Sequence, residues 1–219
     1  VIDQGYGADA LRSFLLFVGP IDENSSWSTN GLAGVHRFLN RVWTITQEYL
    51  DADKTPSLES DATLQKIQHK TIKKVTEDYH KLSFNTAIAA LMEYTNELYK
   101  LKLDGFSESW QEALSSLVQL IAPAAPHMAA ELWQQLGHGE SLDIATWPVW
   151  DETFITSDTM TIIVQVNGKL RAKLEVAVDM AEEEVKQAAL QNDNVVKFMN
   201  GTTARNVIYV PRKLVNIVT

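Results

Sequence analysis

The spacing of apolar residues changes period once along this chain, and that change restricts the possible folds more than any single motif. Up to about residue 150 apolar side chains recur at steps of three and four; beyond residue 160 they alternate. Between 29 and 52, Leu32, Val35, Leu39, Val42, Trp43 and Tyr49 draw one stripe along a long helix. A shorter apolar helix over 8–18 precedes it and stops at Gly19-Pro20. The polar, Pro-bearing stretch 55–63 reads as a loop. A third helix then turns Leu64, Ile67, Ile72, Val75, Tyr79 and Leu82 inward, and Asn85 is a plausible N-cap for a fourth that carries Ile88, Leu91, Leu98 and Leu101. Ser109 and Glu112 have capping-box spacing ahead of Leu114, Leu117, Val118 and Ile121. Pro126 is placed to open a last helix that ends at Gly137. Long helices with short links and no strand signal between them predict an antiparallel α-helical bundle over residues 1–152.

The alternating part predicts something different. Residues 160–166 and 170–176 are strand-like runs around Asn167-Gly168, the strongest short hairpin signal. In the second run Leu170, Ala172, Leu174 and Val176 fall on one face, and Arg171, Lys173 and Glu175 on the other. Asp179 is the expected cap of an acidic-fronted helix, with Glu182 to Glu184 at its positive end, and a further helical turn ends at Asn200-Gly201. Strands at 206–210 and 213–218 close the chain on either side of Pro211. The expectation is an α-helical bundle, a linker at 153–159, and a small α+β (ββααββ) domain at 160–219.

Charge separates the same two parts. The chain carries −9 overall, yet residues 1–159 hold 11 Lys+Arg against 22 Asp+Glu, while residues 160–219 hold 8 against 6. An acidic surface repels phosphate, so a nucleic-acid role would fall to the mildly basic tail. Chance composition in a small domain explains that asymmetry equally well. The absence of cysteine excludes disulfides and Cys-based zinc sites. His36, His69, His80, His127 and His138 show no metal spacing, so no metal ligand is expected, and His127 at a helix start reads as capping or packing. Ser25-Ser26 lacks the strand–elbow–helix setting of a nucleophile, and no catalytic residue is expected. No apolar run approaches the roughly 18 residues of a membrane-spanning helix, and no signal peptide is visible; no membrane partner and a cytoplasmic location are expected.

Several segments resemble class I aminoacyl-tRNA synthetases for leucine, isoleucine and valine. Tyr6 to Phe14 (YGADALRSF) is similar to the helix that follows the KMSKS loop in that family. HRFLNRVW (36–43), KLSFNTAIAALMEYTNEL (81–98) and LIAPAAPHMAAELWQQLG (120–137) resemble successive helices of its anticodon-binding bundle. VQVNGKLRAKLEV (164–176) and VIYVPRKLVNIV (207–218) resemble the C-terminal module of the bacterial leucyl members. Isoleucyl members commonly end in a Cys-rich zinc module and valyl members in a coiled coil, and neither pattern occurs here. The resemblance implies the tRNA-handling part of a leucine–tRNA ligase, with tRNA(Leu) and the enzyme's own catalytic domain as partners and a monomeric state. Neither HIGH nor KMSKS is present, so the ATP and Mg²⁺ chemistry implied for the parent enzyme belongs elsewhere. No cofactor is expected for this chain, which should be inactive alone. The equivalent region of a valyl or isoleucyl enzyme, or a protein-docking scaffold without much RNA affinity, are the alternatives.

Within that reading, phosphate contact falls to Lys169 in the hairpin turn, Arg171 and Lys173 on one strand face, and Arg212 and Lys213 between the last two strands. The resemblance places such contacts at the outer corner of tRNA, where the D and T loops meet. A solvated hairpin edge, kept from aggregating by its lysines, is the bland alternative. In the bundle, Arg37 and Arg41 lie four apart on one helix face, suited either to gripping RNA or to ion pairs within an acidic domain. Trp27 and Trp43 beside the apolar stripe read as core, with base stacking as the alternative. Arg12 is expected to anchor the bundle to the catalytic domain.

Overall fold

A computed structural model describes residues 5–24, 26–155, 159–177, 180–199, 202, 204–211 and 213–219, with the side chains of Thr159 and Met160 left aside. The chain divides into two compact units, Val1–Ile155 and Thr156–Thr219. The first contains α1 (Gly7–Phe17), α2 (Thr29–Asp51), α3 (Asp61–His80), α4 (Phe84–Leu101), α5 (Trp110–Ile121), α6 (Pro126–Gln135) and the single turn α7 (Glu152–Ile155). The expected stripes pack together: Leu32, Val35, Leu39, Val42, Leu64, Ile72, Val75, Ile88, Leu91 and Leu98 are buried in one core with α5. Trp110 is its largest fully buried side chain, with the Phe106 ring edge-on at 4.8 Å. Helix α2 starts where Ser28 Oγ accepts the Gly31 N–H at 3.1 Å. Only glycine fits at 31, because a Cβ there would stand 2.9 Å from the Phe14 ring of α1.

Aspartates, placed at helix ends, hold the corners. Asp9 of α1 accepts the Met128 N–H of α6 and the His127 ring N–H, each at 2.7 Å, so it caps α6 from a distant segment. Asp61 opens α3 two residues before the expected end of the loop, and it accepts from Leu58 N, Ser107 Oγ and Ser109 Oγ. Ser109 therefore does not form the expected capping box. Buried Asp78 takes Lys74 Nζ at 2.6 Å and Thr86 Oγ1 at 2.8 Å, joining the end of α3 to the start of α4. Asn85 lies inside α4 rather than at its cap, because Ser83 N bonds Asp78 O at 2.8 Å and the helix is capped two residues earlier, at Ser83. That turn needs a left-handed residue, Leu82 at φ 56°, and it carries the Leu82 side chain outward instead of into the core. Trp27 and Trp43 are also exposed, against expectation, although Trp27 keeps an edge contact to Phe14 at 5.0 Å.

The linker also begins later than expected. Residues 152–155 form α7 on the bundle, where Phe154 stacks on His69 at 4.5 Å and Glu152 pairs with Lys73 at 2.6 Å. Asp151 N–H donates to His69 Nδ1 at 3.1 Å.

The second unit is built as ββααββ: β1 (Thr159–Val166), β2 (Lys169–Ala177), α8 (Glu182–Gln191), α9 (Asp193–Met199), β3 (Asn206–Val210) and β4 (Leu214–Val218). Its sheet has the order β2-β1-β4-β3, with β4 parallel to β1 and the other pairs antiparallel. Asn167 and Gly168 both adopt positive φ, 51° and 76°, as the tight hairpin turn demands. Their polar groups clasp the chain end: Gly168 N bonds Asn216 Oδ1, and Asn167 Oδ1 accepts the Thr219 N–H. Helix α8 places Glu182, Glu183 and Glu184 in its first turn, and Glu184 reaches back to Ala181 N at 3.4 Å. The expected cap Asp179 and the expected stop at Asn200-Gly201 lie outside the described residues, as does Ser25.

Asp9→Ala, which strips α6 of its distant cap, should lower unfolding free energy by about 1–2 kcal/mol in urea denaturation. His138 supplies a pH test. It stacks on Trp133 at 3.5 Å and meets Ser115 Oγ at 2.8 Å, and burial holds its pKa below 6.5 against the opposing pull of Glu140. A depressed folded-state value means the unfolded chain binds the extra proton. The stabilisation is therefore complete above pH 6.5 and fades as pH falls through the folded value. Melting temperature should drop on acidification, with a shallower slope in His138→Gln.

Candidate nucleic-acid interface

Helices α8 and α9 cover one face of the tail sheet and bury Ile162, Val164, Val166, Ala172, Val176, Val215 and Ile217 beneath them. Alternation sends the intervening residues to the opposite, uncovered face. The pairing register lays Lys173, Ile163, Leu214 and Val210 in one row across the four strands, and Leu170, Gln165, Asn216 and Ile208 in the next. Lys173 is exposed at one end of its row, and Lys213 is exposed beside β4, where its carbonyl accepts the Ile163 N–H at 3.0 Å. One strand separates the two lysine-bearing segments, about 10 Å between backbones. Lys169 is exposed where β2 leaves the turn. None of these three lysines takes part in an ion pair among the described residues. Lys169 stands opposite Val166 of the covered face and Lys173 opposite Ile163 of the uncovered one, so the three are unpaired cations at one small unit, each able to attract a polyanion.

Arg171 does not join them. The register of the hairpin shifts between Val164 and Gln165, which leaves Arg171 as the extra residue of a β-bulge and breaks the expected alternation with Lys173. Its guanidinium lies 3.8 Å from the centre of the Phe198 ring of α9, and its Nε is shielded from solvent without a hydrogen-bond partner. A bulge one residue long had no signal in the alternating pattern. Arg212 lies outside the described residues.

The bundle's two arginines also part company. Arg41 donates to Asn96 Oδ1 at 2.5 Å and lies 4.2 Å over the Tyr99 ring, while the Tyr99 hydroxyl donates to Arg41 O. It is thus committed to the joint between α2 and α4. Arg37 is exposed and makes no hydrogen bond or ion pair among the described residues, which leaves it available to a ligand. Arg12 donates to Pro123 O at 3.2 Å, tying α1 to the turn before α6. Sequence reasoning passed over Lys66, Lys70, Lys73 and Lys74, four cations on α3 with no carboxylate between Asp61 and Glu77. A running charge count along the helix finds them. Lys73 and Lys74 are paired with Glu152 and Asp78, and Lys70 is exposed. Among the described residues no group of three or more His, Asp or Glu converges as a metal site, and no helix is long and apolar enough to cross a membrane.

A helical bundle followed by a small mixed sheet with exposed lysines defines the architecture, and comparison with known proteins gives it a family. The chain belongs to the family described as the anticodon-binding domain of tRNA ligase, whose sequence model matches residues 61–187, from the start of α3 into α8. It is similar to leucine–tRNA ligases of Dehalococcoides mccartyi, with 46% identity over 215 residues in each of three strains. The alignment covers 97% of this chain and 26% of the ligase, so the chain spans about a quarter of the length of those relatives. A solved structure, the agnB2 LeuRS of Agrobacterium radiobacter K84 in ternary complex with tRNA and LeuAMS, matches 99% of this chain and 29% of its own. That match has a TM-score of 0.81 at 30% identity.

The division of labour between Arg171 and Lys173 is testable. Arg171→Ala should destabilise the tail unit by roughly 0.5–2 kcal/mol through the lost ring contact. Lys173→Ala should stay within about 0.5 kcal/mol of the parent. Hydrogen exchange of the 160–219 amides reads both.

Proposed function

We infer that this chain is the tRNA-handling part of a leucine–tRNA ligase, in which bundle and tail orient tRNA(Leu) for a catalytic domain outside the chain. The observation that carries this reading is the likeness of both units, over almost the whole chain, to leucine–tRNA ligases, one of them solved with tRNA. The chemistry agrees. Lys169, Lys173 and Lys213, with Arg37 on the bundle, are free to neutralise phosphates, which contributes affinity and position but no sequence readout. The described uncovered face offers aliphatic side chains rather than stacking aromatics, which favours recognition of a folded RNA surface over capture of splayed bases. Activation of leucine by ATP, with Mg²⁺, belongs to the catalytic domain, and this chain alone does not aminoacylate. It works as a monomer in the cytoplasm.

Binding to tRNA(Leu) and tRNA(Val) transcripts at two salt concentrations tests the reading. Affinity should favour tRNA(Leu) and fall with salt. The slope of log K against log salt should shrink by about 3 in the Lys169→Ala/Lys173→Ala/Lys213→Ala variant, one for each lost phosphate contact. Equal affinity for the two RNAs, or a salt slope unchanged in the variant, would sink it.

A further inference from the structure

We propose that Asn167, in the hairpin turn of the tail, is a site of spontaneous deamidation that β4 holds in check through Asn216. Asn-Gly occurs at 30–31, 167–168 and 200–201 of the sequence, and the last of these pairs lies outside the described residues. In such a pair the reaction is intramolecular. The backbone nitrogen of the glycine, unshielded by a side chain, loses its proton to solvent and attacks the side-chain carbonyl carbon of the asparagine. The new C–N bond closes a cyclic imide, and the side-chain nitrogen leaves as ammonia. Water then opens the imide, giving aspartate or, at the other carbonyl, an isoaspartate whose backbone is longer by a methylene. Water is the sole co-reactant.

In the folded tail both reacting groups are held by β4 and the residue after it. Asn167 N–H donates to Ile217 O at 2.9 Å, and Asn167 Nδ2 donates to Thr219 Oγ1 at 2.9 Å. Thr219 N–H donates to Asn167 Oδ1 at 3.1 Å, which polarises the carbonyl that is attacked and favours the oxyanion of the addition step. The electrophile is thus prepared. The nucleophile is restrained: Gly168 N–H donates to Asn216 Oδ1 at 3.1 Å, and that bond has to break before the nitrogen can turn on Asn167. Asn167 and Gly168 are exposed, so water and base reach them once it does. Asn30-Gly31, in the first turn of α2, belongs to the other unit and serves as an internal reference. Conversion at Asn167 places a carboxylate two residues from Lys169, and the tail then holds one more anion than its present 6 against 8 cations. On the reading of the tail as an RNA-handling unit, that charge weakens its hold on phosphate; the reaction itself does not depend on that reading.

Peptide mapping by mass spectrometry tests this on the whole chain, incubated in mildly alkaline buffer with and without urea, with conversion followed at Asn167 and Asn30. Asn167 should react roughly five-fold more slowly in the folded chain than in urea, the population change that one hydrogen bond supports. Asn216→Leu removes the acceptor and keeps a side chain of similar size. It should raise the folded-state rate at Asn167 about five-fold, with the melting temperature and the rate at Asn30 unchanged. Asn216→Asp keeps an oxygen that accepts the Gly168 N–H, and its rate should stay at or below that of the parent. Equal rates at Asn167 in Asn216→Leu and the parent would overturn the proposal. So would equal rates in the folded and urea-unfolded parent, a comparison that stands even where Asn216→Leu fails to fold. Faster conversion of Asn167 and Asn30 together in Asn216→Leu would assign the change to general unfolding and overturn the proposal too.

Discussion

A carboxylate placed at a helix terminus must find donors, and the corners of this bundle depend on how three aspartates find theirs. Asp9, Asp61 and Asp78 each collect hydrogen bonds from a segment other than their own helix, at the starts of α6, α5 and α4 respectively. Such bonds are charge-assisted and directional, so they set the register between helices that apolar stripes alone leave free to slide. The stripes supply the driving force, through close packing around Trp110. Driving force and register thus come from different residues.

The same economy of charge governs what is left for a ligand. In the bundle, Lys73, Lys74, Lys102 and Arg41 are held by Glu152, Asp78, Glu48 and Asn96. A paired cation attracts a phosphate weakly, because binding must first give up the existing partner. The tail has fewer carboxylates to spend, and Lys186 takes two of them, Glu182 and Glu183 at the front of α8. Its strand lysines remain free. An acidic chain can therefore present unpaired cations to an anion from one small unit, with no basic net charge.

Much of the candidate site was legible in sequence and part of it was not. Lys169 and Lys173 were placed on the second strand of the hairpin by Asn167-Gly168, although the turn fixes the register only as far as Leu170, where the bulge shifts it. Arg171 was assigned to the same face by a strict alternation, and the bulge turned it onto Phe198, a residue 27 positions away in sequence. Arg37 and Arg41 were placed on one helix face by their spacing. Which of them stays free depended on Asn96 and Tyr99, contributed by α4.

Sequence by itself determined the helices, the hairpin, the two-unit order and the family resemblance, because periodicity and turn chemistry act between residues close along the chain. Tertiary structure decided the rest: the parallel pairing of β4 with β1, the docking of α7 on α3, the outward turn of Leu82, and the exposure of Trp43. Apolar spacing states that a side chain belongs on a buried face, yet it does not name the element that will cover it. Where the covering element is displaced by a tight corner or an extra strand residue, only the folded chain shows which side chains are left in water.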